Sequence, residues 1–144
     1  MFNKLLIPVD GSDAALKAVE TARKMMEEGS AQEVILLHVI HPSEVMLVNE
    51  LNLPAGYPVF YEELNKTAKQ ILENAKARFE ENQPITVLLE NGPPAEVICR
   101  IAERDKCDLI IMGNRGLNRI QRVLLGSISS KVTTLAHCSV LVVK

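Results

Sequence analysis

The chain has 144 residues, 47% of them apolar and 24% charged, with a net charge of -2. That length can bury a core within a single domain, 1-144, without disulfide staples. It offers no run of about 18 apolar residues to span a membrane, no basic face for nucleic acid, and no Trp to stack on bases.

In chain order, Lys4-Leu-Leu-Ile-Pro-Val9 is a near-continuous apolar run, as expected of a strand buried on both faces of a parallel sheet. Pro8 cannot donate a ladder hydrogen bond and should lie near the strand's end. Asp10-Gly-Ser-Asp13 is turn chemistry with Ser12 as a candidate N-cap. Ala15, Ala18, Val19, Ala22, Met25 and Met26 then keep helical spacing until Gly29. Glu33 to Ile40 reads as a second strand. The stretch His41 to Tyr61 holds Pro42, Pro54, Gly56 and Pro58 and is too long for an ordinary loop, which suggests a lid, an interface element or a mobile segment.

From Glu62 a helical face returns, with Leu64, Ala68, Ile71, Leu72, Ala75 and Phe79, ending near Asn82-Gln-Pro84. Ile85 to Glu90 is a third strand. Asn91-Gly-Pro-Pro94 turns into a third helix, with proline where the first turn tolerates it. Cys107 to Met112 is a fourth strand, a helix starts at Ser127, and Val140 to Val143 closes the chain as a fifth strand. This strict alternation predicts a parallel five-stranded sheet between two helical layers, a three-layer α/β/α sandwich. With the first strand central (order 3-2-1-4-5), the ligand crevice falls between strands one and four, where the order reverses. The Asp10 turn and the Gly113 loop would meet there.

The second of those turns carries the most specific signal. Gly113, Gly116 and Gly126-Ser127 follow the spacing Gly-x2-Gly-x9-Gly-Ser, running from the end of a strand to the start of a helix. Glycine lets a ligand approach the main chain, and a helix N-terminus presents free N–H groups and a positive dipole end to an anion such as phosphate. Simple tight turns would also account for the glycines. Asp10 could equally shape its own turn, and Ser127 could act as an N-cap. His38, in an apolar strand, reads as a satisfied core residue, while Arg119, Arg122 and Lys131 read as a solvated face. Cys99, Cys107 and Cys138 have no metal-type spacing and are expected to be free, mostly buried thiols of a reducing compartment. Cys107 and Cys138 each precede a strand, and could come close if those strands are neighbours.

The residues together resemble the universal stress protein family over the whole length. The pieces that carry the resemblance are Ile7-Pro-Val-Asp-Gly-Ser12, His38-Val39, Gly92-x-Pro94-Ala95 with Ile98, the Gly113 to Ser127 loop, and His137-Cys-Ser-Val-Leu-Val-Val143. The glycine motif is similar to that of the family's ATP-binding branch. The resemblance implies an adenine nucleotide alpha hydrolase-like fold, ATP as ligand and a homodimer. By position, Pro8, Val9 and Val39 would line the adenine pocket, and Asp10 would meet the ribose or the metal-phosphate region. Met112, Gly113 and Gly116 would pass along the ribose and phosphates. Gly126, Ser127, Ile128 and Ser129 would present N–H and hydroxyl groups to the phosphates, with Arg115 as a possible partner. Mg2+ or Mn2+ would bridge the phosphates without a dedicated carboxylate cage. The dimer would form through Val140 to Lys144, an apolar strand at a sheet edge.

No Gly-x4-Gly-Lys-[Ser/Thr] is present, and the glycine loop contains no lysine. Phosphoryl transfer needs a positioned nucleophile and charge-neutralising groups. The reading is therefore a nucleotide-binding regulatory module. The alternatives are a slow ATPase or nucleotide-hydrolysing enzyme, or a dimer that binds no nucleotide. ATP is preferred to AMP or cyclic AMP because the loop can reach several phosphates. The opening Met1-Phe-Asn-Lys-Leu-Leu-Ile7 lacks a cleavable apolar region and reads directly into a strand, so the expected location is cytoplasmic.

Overall fold

The computed structural model describes residues 1–43, 57–114 and 125–144, with the side chains of 57–61 left aside. Its elements are β1 (Phe2–Pro8), α1 (Asp13–Glu27), β2 (Ala31–Ile40), α2 (Tyr57–Lys76), β3 (Ile85–Asn91), α3 (Pro94–Arg104), β4 (Leu109–Gly113), α4 (Ser127–Leu135) and β5 (Ser139–Val143). The strands form one sheet in the order β3-β2-β1-β4-β5, and every pairing is parallel. The expected topology is the observed one.

Side chains of a strand alternate between faces, and this sorts the core into two layers. Leu5, Ile7, Val34, Leu36, Leu109 and Ile111 pack with α1 and α2. Leu6, Ile35, Leu37, Ile110 and Met112 pack with α3 and α4. Leu5, Leu6 and Ile7 of the central strand are completely buried, which explains why β1 reads as an apolar run without alternation.

Boundaries moved where backbone hydrogen bonding overrode pattern. The second helix was expected to run close to Asn82 but ends at Lys76. Beyond it the bonds from Arg78 N to Ala75 O and from Phe79 N to Lys76 O tighten the chain into turns that still bury Phe79. Cys107 was expected inside the fourth strand. Instead its N–H bonds the Ala102 carbonyl at 2.8 Å, following Lys106 at φ +56°. That is a helix C-terminus closed by a left-handed residue, and β4 starts two residues later. Asp108 then clamps the sheet at the end away from the crevice, its carboxylate accepting from Asn3 N (2.8 Å) and Lys4 N (3.0 Å).

All three thiols are free and lie in or against the α3/α4 layer, with Cys107 buried and Cys99 and Cys138 half-buried. Burial pushes the Cys107 thiol up to about 11, and Cys99 and Cys138 are raised for the same reason. A raised thiol is a poor nucleophile at neutral pH because the thiolate is the reactive form. Alkylation of Cys107 in the folded protein should therefore rise about tenfold per pH unit between pH 8 and 10. A rate at pH 8 equal to that of a free thiol would contradict this.

Candidate functional site

The C-terminal ends of β1, β2 and β4 open into a cavity of about 710 Å³, flanked by α2 on one side and by the starts of α3 and α4 on the other. That volume suits a ligand of nucleotide size. It lies at the position expected from the reversal of strand order between β1 and β4.

The first wall is the turn after β1. Asp10 Oδ1 accepts from Ser12 N at 2.9 Å, and Ser12 Oγ accepts from Ala15 N at 3.2 Å. These two bonds shape the turn and cap α1 at Ser12, the expected N-cap. Gly11 between them has φ +85°, a conformation that favours glycine. Asp10 thus does shape its own turn, and it also lines the cavity.

The second wall is the end of β2. Val39 lines the cavity beside His38, whose Nδ1 lies 2.7 Å from the Val9 carbonyl oxygen. The α2 face supplies Glu63, Leu64, Thr67, Ala68 and Ile71. None of these α2 residues, nor His38, was expected in the site. The helix reaches the crevice only through packing on β1 and β2, which no local motif encodes. His38 could have been found from its place near the C-terminal end of a strand.

The third wall joins β4 to α4. Gly113 is there because a Cβ would lie 2.6 Å from the Ala14 carbonyl carbon and 2.7 Å from Ala14 Cβ and O. This glycine serves the close approach of β4 to α1. Asn114 then anchors both sides of the loop base. Its N–H donates to Val143 O at 2.9 Å, and its carbonyl accepts from Gly126 N at 2.9 Å. Buried Ser129 adds Oγ bonds to Gly113 O (2.9 Å) and Asn114 O (3.3 Å), so its hydroxyl proton is committed to the protein.

Gly126 is the N-cap of α4, and no side chain caps the helix. The first N–H groups of a helix have no intrahelical acceptor. Ser127, Ile128 and Ser129, the first three residues of α4, line the cavity. Nine of the expected site residues line the cavity: Pro8, Val9, Asp10, Val39, Met112 and Gly113, together with those three of α4. Arg115 and Gly116 lie outside the described residues, as do Arg119 and Arg122. Among the described residues there is no cluster of three or more metal-ligating side chains, and no helix is long and apolar enough to cross a membrane.

Known proteins resemble this chain in sequence and fold. A sequence profile of the universal stress protein family matches residues 1–144. Universal stress protein YxiE of Bacillus subtilis is 34% identical, over the full length of both chains. The structure of MJ0577 from Methanocaldococcus jannaschii superposes with a TM-score of 0.84 at 34% identity, covering 98% of this chain and 94% of that one. Two more distant structures share the fold. One is a universal stress protein in complex with cAMP (TM-score 0.64, 24% identity, 99% and 96% covered). The other is an Arabidopsis thaliana family protein with AMP bound (TM-score 0.66, 19% identity, 99% and 91% covered). This chain belongs to the universal stress protein family.

Proposed function

We propose that this protein is a single-domain, cytoplasmic ATP-binding module of the family's nucleotide-binding branch, whose bound ATP tunes its shape or its choice of partner under stress. The observation that carries this is the uncapped N-terminus of α4 facing a crevice of nucleotide size beside Asp10. Free helix N–H groups suit phosphate. The apolar walls Pro8, Val9, Val39 and Ile71 at the other end suit a flat heterocycle. The distant structures with cAMP and AMP show that this fold accommodates adenine nucleotides in those proteins.

One Asp10 oxygen is engaged in the turn, which leaves the other for a divalent cation held chiefly by phosphate oxygens. Magnesium keeps several waters and takes few carboxylates in such sites, so a single aspartate fits it. The phosphate contacts come from backbone N–H groups of Ser127, Ile128 and Ser129. Binding without rapid turnover is the expected behaviour, since fast phosphoryl transfer needs a positioned nucleophile and fixed cationic groups.

The test is mass spectrometry of the nucleotide released on denaturing protein purified without added ligand. ATP is the expected product. No nucleotide, with no thermal shift on adding ATP and magnesium, would overturn the reading in favour of a protein whose glycines serve only as turns.

A homodimer through Val140 to Lys144 belongs to the same proposal. β5 is a sheet edge, hydrogen-bonded to β4 on one side, and Leu141 on it is 40% exposed. An open apolar edge favours pairing with a second copy. Light scattering at micromolar concentration should give a dimer for the wild type and a monomer for Leu141→Arg. A monomeric wild type would remove this part of the proposal.

A further inference from the structure

Within the nucleotide-binding reading, on which this inference rests, the described geometry also bears on how a base would be identified. The cavity has two chemically different ends. Its β4 end carries Gly113 and the uncapped start of α4, and its β2 end is walled by Val9, Val39, Ile40, Ala68 and Ile71. β2 lies two strands from β4 in the sheet, about 10 Å away at the usual strand spacing. That is the scale separating the base of a nucleotide from its outer phosphates. A ligand with phosphates on α4 therefore brings its base to β2.

His38 stands at that end. Its Nδ1 lies 2.7 Å from the Val9 carbonyl oxygen. A carbonyl oxygen only accepts, so Nδ1 carries a proton, and in the neutral ring Nε2 then holds a lone pair. Among the described residues no hydrogen bond engages Nε2, and no buried side-chain nitrogen or oxygen is without a partner. The Nε2 atom of this half-buried, cavity-lining ring is thus accessible. The Val9 carbonyl presents the ring in one tautomer, as an acceptor.

We infer that His38 is a specificity-determining residue, whose Nε2 accepts a hydrogen bond from the exocyclic amino group of adenine. An acceptor fixed in an apolar pocket favours a base bearing an N–H at that position. It disfavours a 6-oxo purine, which would set two lone pairs against each other and leave both unpaired. The backbone bond to Val9 matters because it removes the tautomer that could serve the oxo base.

The experiment is isothermal titration with ATP, ITP and the 6-unsubstituted analogue purine riboside triphosphate, using wild type, His38→Leu and His38→Gln. The wild type should bind ATP about tenfold more tightly than purine riboside triphosphate, the scale of one hydrogen bond, and should bind ITP more weakly still. His38→Leu should bring the ATP to purine riboside triphosphate ratio close to one. His38→Gln, whose amide oxygen can accept at a similar reach, should keep a preference for ATP. A ratio is read because a general loosening of the pocket weakens all three ligands together. Equal binding of ATP and purine riboside triphosphate by the wild type would overturn the inference without any variant. So would a ratio unchanged in His38→Leu. No binding of any of the three by the wild type would instead overturn the nucleotide reading, and this inference with it.

Discussion

Gly113→Val is expected to destabilise the fold severely, whether or not nucleotide is present. A Cβ at this position would meet the carbonyl carbon and oxygen of Ala14 at 2.6 and 2.7 Å. Those are backbone atoms in the first turn of α1, so no rotamer change relieves the contact. β4 carries Ile110 and Ile111, both fully buried, and pairs with β1 and β5. Moving its end to make room would disturb both core layers. Overpacking of this kind costs about 3 kcal/mol or more, which for a chain of this size lowers the melting temperature by roughly 10 °C. Thermal melts of the ligand-free protein check this. Gly113→Ala should already show most of the loss, because the clash begins at Cβ. Adding Ala14→Gly should recover only part of it, since that change removes Ala14 Cβ and leaves the carbonyl in place. A Gly113→Val protein that melts with the wild type would show that β4 and α1 do not approach so closely. Loss of ATP from a Gly113 variant consequently says nothing about phosphate contact.

That glycine also shows what a sequence can and cannot reveal. The topology was legible because it rests on local signals. Continuous apolar runs mark strands buried on both faces, turn residues such as Asp10 and Ser12 mark helix starts, and alternation of the two element types leaves few arrangements. Of the nine cavity residues, Asp10, Gly113 and Ser127 are legible from such local signals, at a turn, a strand end and a helix start, whereas Pro8, Val9, Val39, Met112, Ile128 and Ser129 follow from the resemblance to the family. The reason for Gly113 was not legible, because glycine for a ligand and glycine for a neighbouring helix look alike in one dimension. Ser129 is a similar case. A serine at a helix start suggests a phosphate ligand, whereas its hydroxyl proton is given to the Gly113 and Asn114 carbonyls. The sequence reads His38 as a satisfied core residue, but only half of that holds, since Nδ1 meets Val9 O while the half-buried ring lines the cavity with Nε2 unengaged among the described residues. Its exposure to the cavity depends on how far β2 extends beside β1, and on α2 above it. The contribution of α2 arises wholly from packing between distant parts of the chain.

Gly126 separates the two roles of glycine that Gly113 confuses. Its backbone sits at φ -57° and ψ 153°, a region open to every residue type, so conformation alone does not require glycine there. It is also the N-cap of α4 and lacks a capping side chain. Serine is a better N-cap than glycine by a few tenths of a kcal/mol, because its Oγ accepts from an N–H of the first turn. Those N–H groups at Ser127, Ile128 and Ser129 are the ones assigned to phosphate. In Gly126→Ser a side-chain oxygen would compete for them, and a Cβ would stand where the phosphate approaches the backbone. The expected result is a pair of effects with opposite signs. The ligand-free melting temperature should stay level or rise slightly, while ATP affinity falls by tenfold or more, the scale of one charge-assisted hydrogen bond lost. Gly126→Val should lose affinity further, and should lose about 1 kcal/mol of stability because valine caps poorly. Calorimetry for binding and thermal melts for stability measure the two effects independently. If Gly126→Ser binds ATP as the wild type does, the start of α4 is not the phosphate cradle, however well the variant folds. If affinity falls while stability holds, the glycine is retained for the ligand, because the fold by itself would be served at least as well by serine.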